Sequence, residues 1–434
     1  MRRRRTLFGM AALSLALAAP ALVAAPVGAS DDGDGDPATY RVTIENLTEG
    51  QPITPVVAAA SDGDFRLFKR GQAASPGLQQ LAENGGVPAL AAEAAMSPEV
   101  DAVEVIGSAP LHPGDTVEQI VTLPDESERL SLAAMLVCTN DGFAGISRLR
   151  LPEKPGRSKS VYAKAFDAGT EVNTEQFDDL VPPCSGGTNG TGMSNPALAE
   201  NGVVGRHRGI QGIADLVPEV HGWDGPVMKV TIERVRVFEV SVTNLTGGQP
   251  LTPFVLATHG GRHGIFRDGR PATPGLQQLS ENGGVPILAA ELAHSRRVGT
   301  VAVVGAAPFG PGATVMSTVI VADRKERVSL AGMLVCSNDG FAGIDGVELP
   351  EDVGDSSTFD AVAHDAGTEV NTEQFEDLVP PCSDDETGTG MSNPDLAENG
   401  VVHHHAGITG AGNLDPTIHG WTGPVASMTI TRVG

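Results

Sequence analysis

The chain repeats itself once. Cys138 lies in the run Met-Leu-Val-Cys-Thr-Asn-Asp-Gly-Phe-Ala-Gly-Ile, and Cys336 lies in Met-Leu-Val-Cys-Ser-Asn-Asp-Gly-Phe-Ala-Gly-Ile, 198 residues later. The same offset relates Cys184 to Cys382, Asn46 to Asn244 and Trp223 to Trp421, so no net insertion separates these landmarks. Solenoid units run roughly 20–50 residues. A period this long is instead a duplicated domain of ordinary size. The copies span residues 38–236 and 237–434, each long enough to enclose its own apolar core. What the domain needs must appear at both addresses, so one copy filters the other.

The first 29 residues read as a leader. Arg2 to Arg5 are followed by the apolar, Ala/Leu-rich run Leu7 to Val23, and Val27-Gly28-Ala29 offers small residues for cleavage after Ala29. This three-part pattern is a secretory signal and not a membrane span. Arg4 and Arg5 also admit the twin-arginine route. No other stretch approaches the ~18 apolar residues of a spanning helix, so the expected mature protein is extracellular with no transmembrane segment. Residues 30–37 form an acidic lead-in.

The chain carries 54 Asp and Glu against 29 Lys and Arg, a formal net charge of −25. Four arginines would leave with the leader, making the mature chain more acidic still. Such a surface repels phosphate backbones and argues against nucleic-acid binding. Acidic side chains and few lysines fit a salty medium.

Each copy holds two cysteines. Pairing Cys138 with Cys184 and Cys336 with Cys382 is one of three connectivities, preferred because each domain then closes itself. In a chain-entropy model each bridge contributes roughly 4 kcal/mol. The alternative is a reduced zinc site, although no Cys-x-x-Cys pair is present.

The predicted fold is all-β: two tandem antiparallel β-sandwich domains with short helices in loops. Strand-like runs in the first copy are Tyr40 to Asn46, Thr54 to Ala60, Val100 to Gly107, Thr116 to Leu123, Leu130 to Cys138 and Val227 to Arg234, punctuated by Gly, Pro, Asn and Asp. Pro76 to Glu83 and Pro88 to Ala95 read as helices with Pro in the first turn. Aromatic residues form only 4% of the chain, so Val, Leu, Ile and Ala must fill the cores. The junction from Thr231 to Val242 lacks linker composition, which predicts close-coupled domains.

The densest polar signals are Asn140-Asp141-Gly142 and the run from Asp167 to Glu175, repeated as Asn338-Asp339-Gly340 and Asp365 to Glu373. Carboxylates on Gly-containing loops suit calcium, which takes six to eight oxygens. Gathering anions without a cation is repulsive. The plainer reading is Asx-turns and solvated acids.

Three segments resemble the spondin N-terminal domain: Tyr40 to Thr48, the Asp141-Gly142-Phe143-Ala144-Gly145 loop, and Asp167-Ala168-Gly169-Thr170-Glu171. Pro76-Gly77-Leu78 and Glu83-Asn84-Gly85 are similar to prokaryotic members. The resemblance covers nearly all of both copies. It implies a C2-like antiparallel sandwich with one calcium at one end of each domain, the ligands being Asp141, Asp167 and Glu171, and Asp339, Asp365 and Glu369. Vertebrate members carry Asp where this chain has Glu171 and Glu369, and Trp where it has Gly142 and Gly340. Their thrombospondin repeats and reelin-like domain are missing, so integrin or matrix binding does not carry over.

His207 with His405, and His221 with His419, are the histidines that recur. His221-Gly222-Trp223 and its counterpart either line a ligand pocket or plug a sandwich end. His403-His404-His405 looks like a transition-metal clamp, but the first copy has Gly205-Arg206-His207 there, which favours adventitious binding. Catalysis is disfavoured. No Gly-x-Ser-x-Gly elbow occurs, and two Trp and two Tyr are few for sugar platforms. Carboxylate pairs such as Glu171 and Glu175 leave a hydrolase as an alternative. The sequence therefore points to a secreted, non-catalytic adhesion or binding module for an unidentified extracellular protein or polysaccharide, with two copies raising avidity if both engage together. A structural envelope or biofilm component with stabilising calcium is the other reading.

Overall fold

Alternation in the first strand shows how the layers are built. In β1 (Ala38–Asn46), Tyr40, Val42 and Ile44 are buried while Arg41, Thr43 and Glu45 are half-exposed, the pattern of a sheet with one face on a core. In β2 (Val56–Ser61) all six residues are buried, so its sheet is covered on both faces. The covering layer is the helix pair α1 (Pro76–Asn84) and α2 (Val87–Ala95). Small residues, Ala58 to Ala60 among them, let the layers approach closely.

A computed structural model describes residues 36–184, 194–261, 264–382 and 392–434. The proposed leader and cleavage site lie outside the described residues. No helix among the described residues is long and apolar enough to cross a membrane.

The first copy continues with β3 (Ala102–Ile106), β4 (Thr116–Leu123), β5 (Arg129–Met135), β6 (Gly142–Arg150), β7 (Ser158–Asp167), β8 (Gly205–Arg206), α3 (Pro218–His221) and β9 (Met228–Asn244). One antiparallel sheet runs β4–β1–β9–β7, and the other runs β3–β2–β5–β6–β7. Strand β7 joins them: Ser158 to Ala163 pair with β9, and Lys164 to Asp167 pair with β6. One core, including Ile44, Leu132 and Ile232, fills the space between the sheets. A second, with Leu78, Leu81 and Phe143, lies between the second sheet and the helices.

Local chemistry places α1. Ser75 accepts a hydrogen bond from Leu78 N (3.2 Å) at the N-cap, Pro76 opens the first turn, and Gly85 (φ 65°) closes the helix in the left-handed conformation. This is the N-terminal Pro, C-terminal Gly arrangement.

The second copy repeats the plan with β10 (Phe254–His259), α4 (Pro274–Asn282), α5 (Val285–Ala293), β11 (Val298–Val304), β12 (Thr314–Val321), β13 (Arg327–Met333), β14 (Gly340–Glu348), β15 (Ser356–Asp365), β16 (His403–His404), α6 (Pro416–His419) and β17 (Ala426–Arg432).

The junction is one continuous strand. Residues 228–235 of β9 close the first copy against β1 and β7, and residues 236–244 open the second against β12 and β17. Around it, Arg236 Nη2 donates to Asp323 O (3.2 Å) and Lys325 O (2.6 Å), and Arg324 Nε donates to Pro155 O (3.3 Å). Val237 N donates to Gly434 O (2.7 Å), tying the chain's last residue to the junction.

A shared strand also sets direction. Asn46, which precedes the acidic-loop end of the first copy, pairs with Met228; its counterpart Asn244 is at the other end of β9. The two loop ends therefore face opposite ways along a strand of 17 residues, about 50 Å at strand rise.

Candidate metal centre

Each acidic site begins where a strand hands over to a loop. β5 stops at Met135, and Cys138 sits in the turn that follows, bridged to Cys184. Cys336 is likewise bridged to Cys382. Both predicted pairings are therefore present. Thr139 caps the turn: its Oγ1 donates to Leu136 O (2.6 Å) and accepts from Gly142 N (2.9 Å). Gly142 must be glycine here, since a Cβ would stand 2.4 Å from Thr139 Oγ1.

Asp141 is fully buried. Its Oδ2 accepts from Thr170 N (2.8 Å) and Glu171 N (3.2 Å), while Oδ1 has no hydrogen-bond partner. Glu171 is 1% exposed; its Oε1 accepts from Asn195 N (3.0 Å), and Oε2 has no partner. The second copy matches. Asp339 Oδ2 accepts from Thr368 N (2.7 Å) and Glu369 N (3.1 Å), Glu369 Oε1 accepts from Asn393 N (3.1 Å), and Asp339 Oδ1 and Glu369 Oε2 are without partners.

Asp167 differs. Its Oδ1 accepts from Gly169 N (2.9 Å) and its Oδ2 from Asn173 Nδ2 (2.7 Å). Asp365 repeats this with Gly367 N (2.8 Å) and Asn371 Nδ2 (2.6 Å). These are Asx-turn carboxylates, each retaining a further lone pair per oxygen. Gly169 has φ 70°, and a Cβ there would lie 2.6 Å from Val203 N, so the Asp-Ala-Gly-Thr glycine is a packing requirement.

Charge crowding follows. Burial, then Asp167, pushes Asp141 up to about 6; burial pushes Glu171 up to about 8, with Glu83, Asp141 and Asp179 adding to it. Asp339 and Glu369 stand at about 6 and about 8, again chiefly from burial. A desolvated carboxylate beside other carboxylates holds its proton unless a cation compensates.

Sequence reasoning missed the wall of this site. Glu83, in the last turn of α1, is 6% exposed and faces the same charge cluster. Asn84 accepts from Ser194 N (2.6 Å) and donates to Ser194 Oγ (3.1 Å). That fastens α1 to the segment whose Asn195 holds Glu171. In the sequence the Glu83-Asn84-Gly85 motif figures only in the family resemblance; its task at this wall depends on a contact 110 residues away.

Glu175 is not a free acid. Its Oε1 accepts from Gln211 N (2.6 Å) and Oε2 from Ile213 N (2.9 Å). Glu373 accepts from Thr409 N, Gly410 N and Ala411 N (2.6, 2.7 and 2.9 Å), and these bonds hold it below the usual range against its own burial. The suggested Glu171–Glu175 hydrolase pair thus has one member committed to backbone amides.

The histidines also sort differently. Trp223 packs on His207 (ring centroids 5.2 Å apart), not on His221, and Trp421 packs on His405 (5.1 Å). His221 Nδ1 accepts from Val217 N (2.9 Å) at the start of α3. The three consecutive histidines do not form one clamp. His405 is buried, His403 lies 3.6 Å from Asp365, and His404 pairs across the ladder with His364. Among the described residues, no three His, Cys, Asp or Glu side chains already stand at metal-binding spacing.

The family model Spondin_N matches residues 48–177 and again 248–377. The chain belongs to the Spondin_N family. The match covers more than half of the chain and falls once in each copy, from just after β1 to the first residue of the short helical turn Phe177–Asp179, and in the second copy from just after β9 to the last residue of the equivalent turn Phe375–Asp377. It includes Asp141, Asp167 and Glu171 with their counterparts, and excludes β9. Among curated proteins none matches the chain.

Proposed function

We propose that this Spondin_N protein is exported and non-catalytic, and that each acidic loop end holds a calcium ion that fixes the loops for binding. The observation that carries the reading is the pair of buried, unpartnered carboxylate oxygens on Asp141 and Glu171, reproduced on Asp339 and Glu369. An orphaned buried acceptor costs about 1–3 kcal/mol, more when charged. The domain carries two such atoms at each address. A hard cation fits that donor set, with Asp167 and Glu83, or Asp365 and Glu281, at hand to complete it. Bound calcium would supply the positive charge that lets these carboxyls ionise. The chain's own part is to pre-form the turn through Thr139, Gly142, Gly169 and Asn195.

Disulfides in both copies support an extracellular setting, where such bridges persist, as does the leader-like N-terminus. Saturation of Glu175 and Glu373 by amides supports a binding role over hydrolysis. The opposed loop ends change how two copies would act. Avidity requires both sites to engage together, and ends about 50 Å apart facing opposite ways suit bridging two surfaces better than gripping one. A cross-linking component of an envelope or matrix is thus the form of adhesion the geometry favours.

Thermal melts of chelated protein against added calcium test the metal. We expect the midpoint to rise with calcium in the full chain and to rise less in Glu171→Gln. No shift at millimolar-order calcium would remove the reading. Bridging is tested with cell-wall polysaccharide immobilised on two populations of beads. Calcium-dependent co-aggregation by the tandem chain supports it, and binding without aggregation contradicts it.

A further inference from the structure

The two copies part company at one corner of the fold. Where β7 meets β8, the first copy places Phe166 opposite Arg206, with Arg70 at the equivalent of position 268. Phe166 stacks with Phe143 (5.5 Å) and Phe68 (4.8 Å). In the second copy His364 stands opposite His404 on β15 and β16. His364 takes the phenylalanine's place against Phe341 (5.2 Å) and Phe266 (4.6 Å). Asp268 Oδ1 lies 3.3 Å from His364 Nδ1. Three positions have changed character together: Arg70 to Asp268, Phe166 to His364, and Arg206 to His404. At these three aligned positions two arginines and a phenylalanine give way to an aspartate and two histidines.

We propose that His364 and His404 form a binding site for a divalent transition-metal ion, with Asp268 orienting His364. The register carries the argument. Directly paired residues of an antiparallel ladder project to the same face with Cβ atoms about 5 Å apart, a spacing that suits two imidazoles on one ion. Asp268 Oδ1, 3.3 Å from Nδ1, would favour the tautomer that carries its proton on Nδ1 and its lone pair on Nε2, the carboxylate–histidine–metal relation of metalloproteins. His364 Nδ1 is buried and makes no hydrogen bond, so the Asp268 carboxylate is the group at hand to face a proton there. The scaffold is fixed, because Gly269 N donates to Val402 O (2.8 Å) and Val402 N donates to Arg270 O (2.9 Å), clamping the Asp268 loop against the start of β16. His364 is buried and its ring is held by two phenylalanines; His404 is exposed and supplies the movable ligand. Water completes the shell, as in sites with an open position. His403 belongs to the other face, beside Asp365.

Zinc titration of the full chain in saturating calcium tests this by calorimetry. We expect one zinc per chain. His364→Phe and His404→Arg, which install the first copy's residues, should each abolish saturable binding. Asp268→Asn should weaken it about 10- to 100-fold, while His403→Gly leaves it unchanged. Zinc-free melts check folding, and should His364→Phe misfold, the exposed His404→Arg carries the test. The proposal is overturned by absent zinc binding, by loss of binding in His403→Gly, or by binding that survives both His364→Phe and His404→Arg.

Discussion

The two copies agree at the acidic loop and disagree at the corner beside it. At the loop, every hydrogen bond to Asp141 and Glu171 has its equivalent at Asp339 and Glu369, and the same oxygens stay unpartnered. At the corner, Arg70, Phe166 and Arg206 face Asp268, His364 and His404. One region is kept by both copies of this chain. The other is where one copy was free to acquire different chemistry. The copies thus act as controls for each other.

The comparison is sharpened most by the disulfides. Replacing Cys138 and Cys184 together by Ser should cost about 4 kcal/mol for a loop of this length, and the same change at Cys336 and Cys382 should cost nearly as much in denaturant unfolding. A large inequality would break the equivalence of the two loop ends. Next, Glu175→Ala and Glu373→Ala should each cost about 3 kcal/mol, because buried amides lose a charged acceptor. Glu373 serves three backbone N–H groups as well as Thr409 Oγ1, so the second copy should lose more.

Acidity gives a smaller and broader effect. Asp141, Glu171, Asp339 and Glu369 have folded values raised above their unfolded ones. These four groups bind more protons in the calcium-free folded chain than in the unfolded one, so between about pH 6.5 and 8, above the range in which the buried His207, His364 and His405 with their lowered values act in the opposite sense, stability falls as pH rises. Calcium replaces those protons, so its affinity should rise over the same window and flatten the decline. Melts at several pH values, with and without calcium, read both effects. Equal slopes in the two series would contradict the assignment. The smallest effect should come from Asn173→Ala, which frees one Asp167 oxygen at a half-exposed site; about 1 kcal/mol is expected from a single hydrogen bond.

Much of this was legible in the sequence. The duplication, the all-β class, both helices and the disulfides follow from spacing, apolar pattern and turn residues. Strands β6 and β7 were not read. β6 opens with Gly142-Phe143-Ala144-Gly145, which looks like loop, yet those glycines lie where a Cβ would meet Thr139 or Phe68. Tertiary packing, not strand propensity, selects them. Of the predicted ligands, Asp141 and Glu171 carry unpartnered oxygens and Asp167 sits in an Asx-turn; spacing cannot distinguish these states, because the donors come from Gly169, Asn173 and Asn195. His221-Gly222-Trp223 does not act as one unit, for a similar reason. Adjacent residues need not share a face, and the partner of Trp223 is His207, from the segment around β8. The opposed directions of the loop ends became visible only with the register of β9.

The most direct measurement is the calcium stoichiometry of the chelated full chain by titration calorimetry. The account predicts two ions per chain, one in Glu171→Gln, one in Glu369→Gln, and none of the saturable heat in the double variant. Two ions retained in the double variant, or no saturable binding in the unaltered chain, would contradict it.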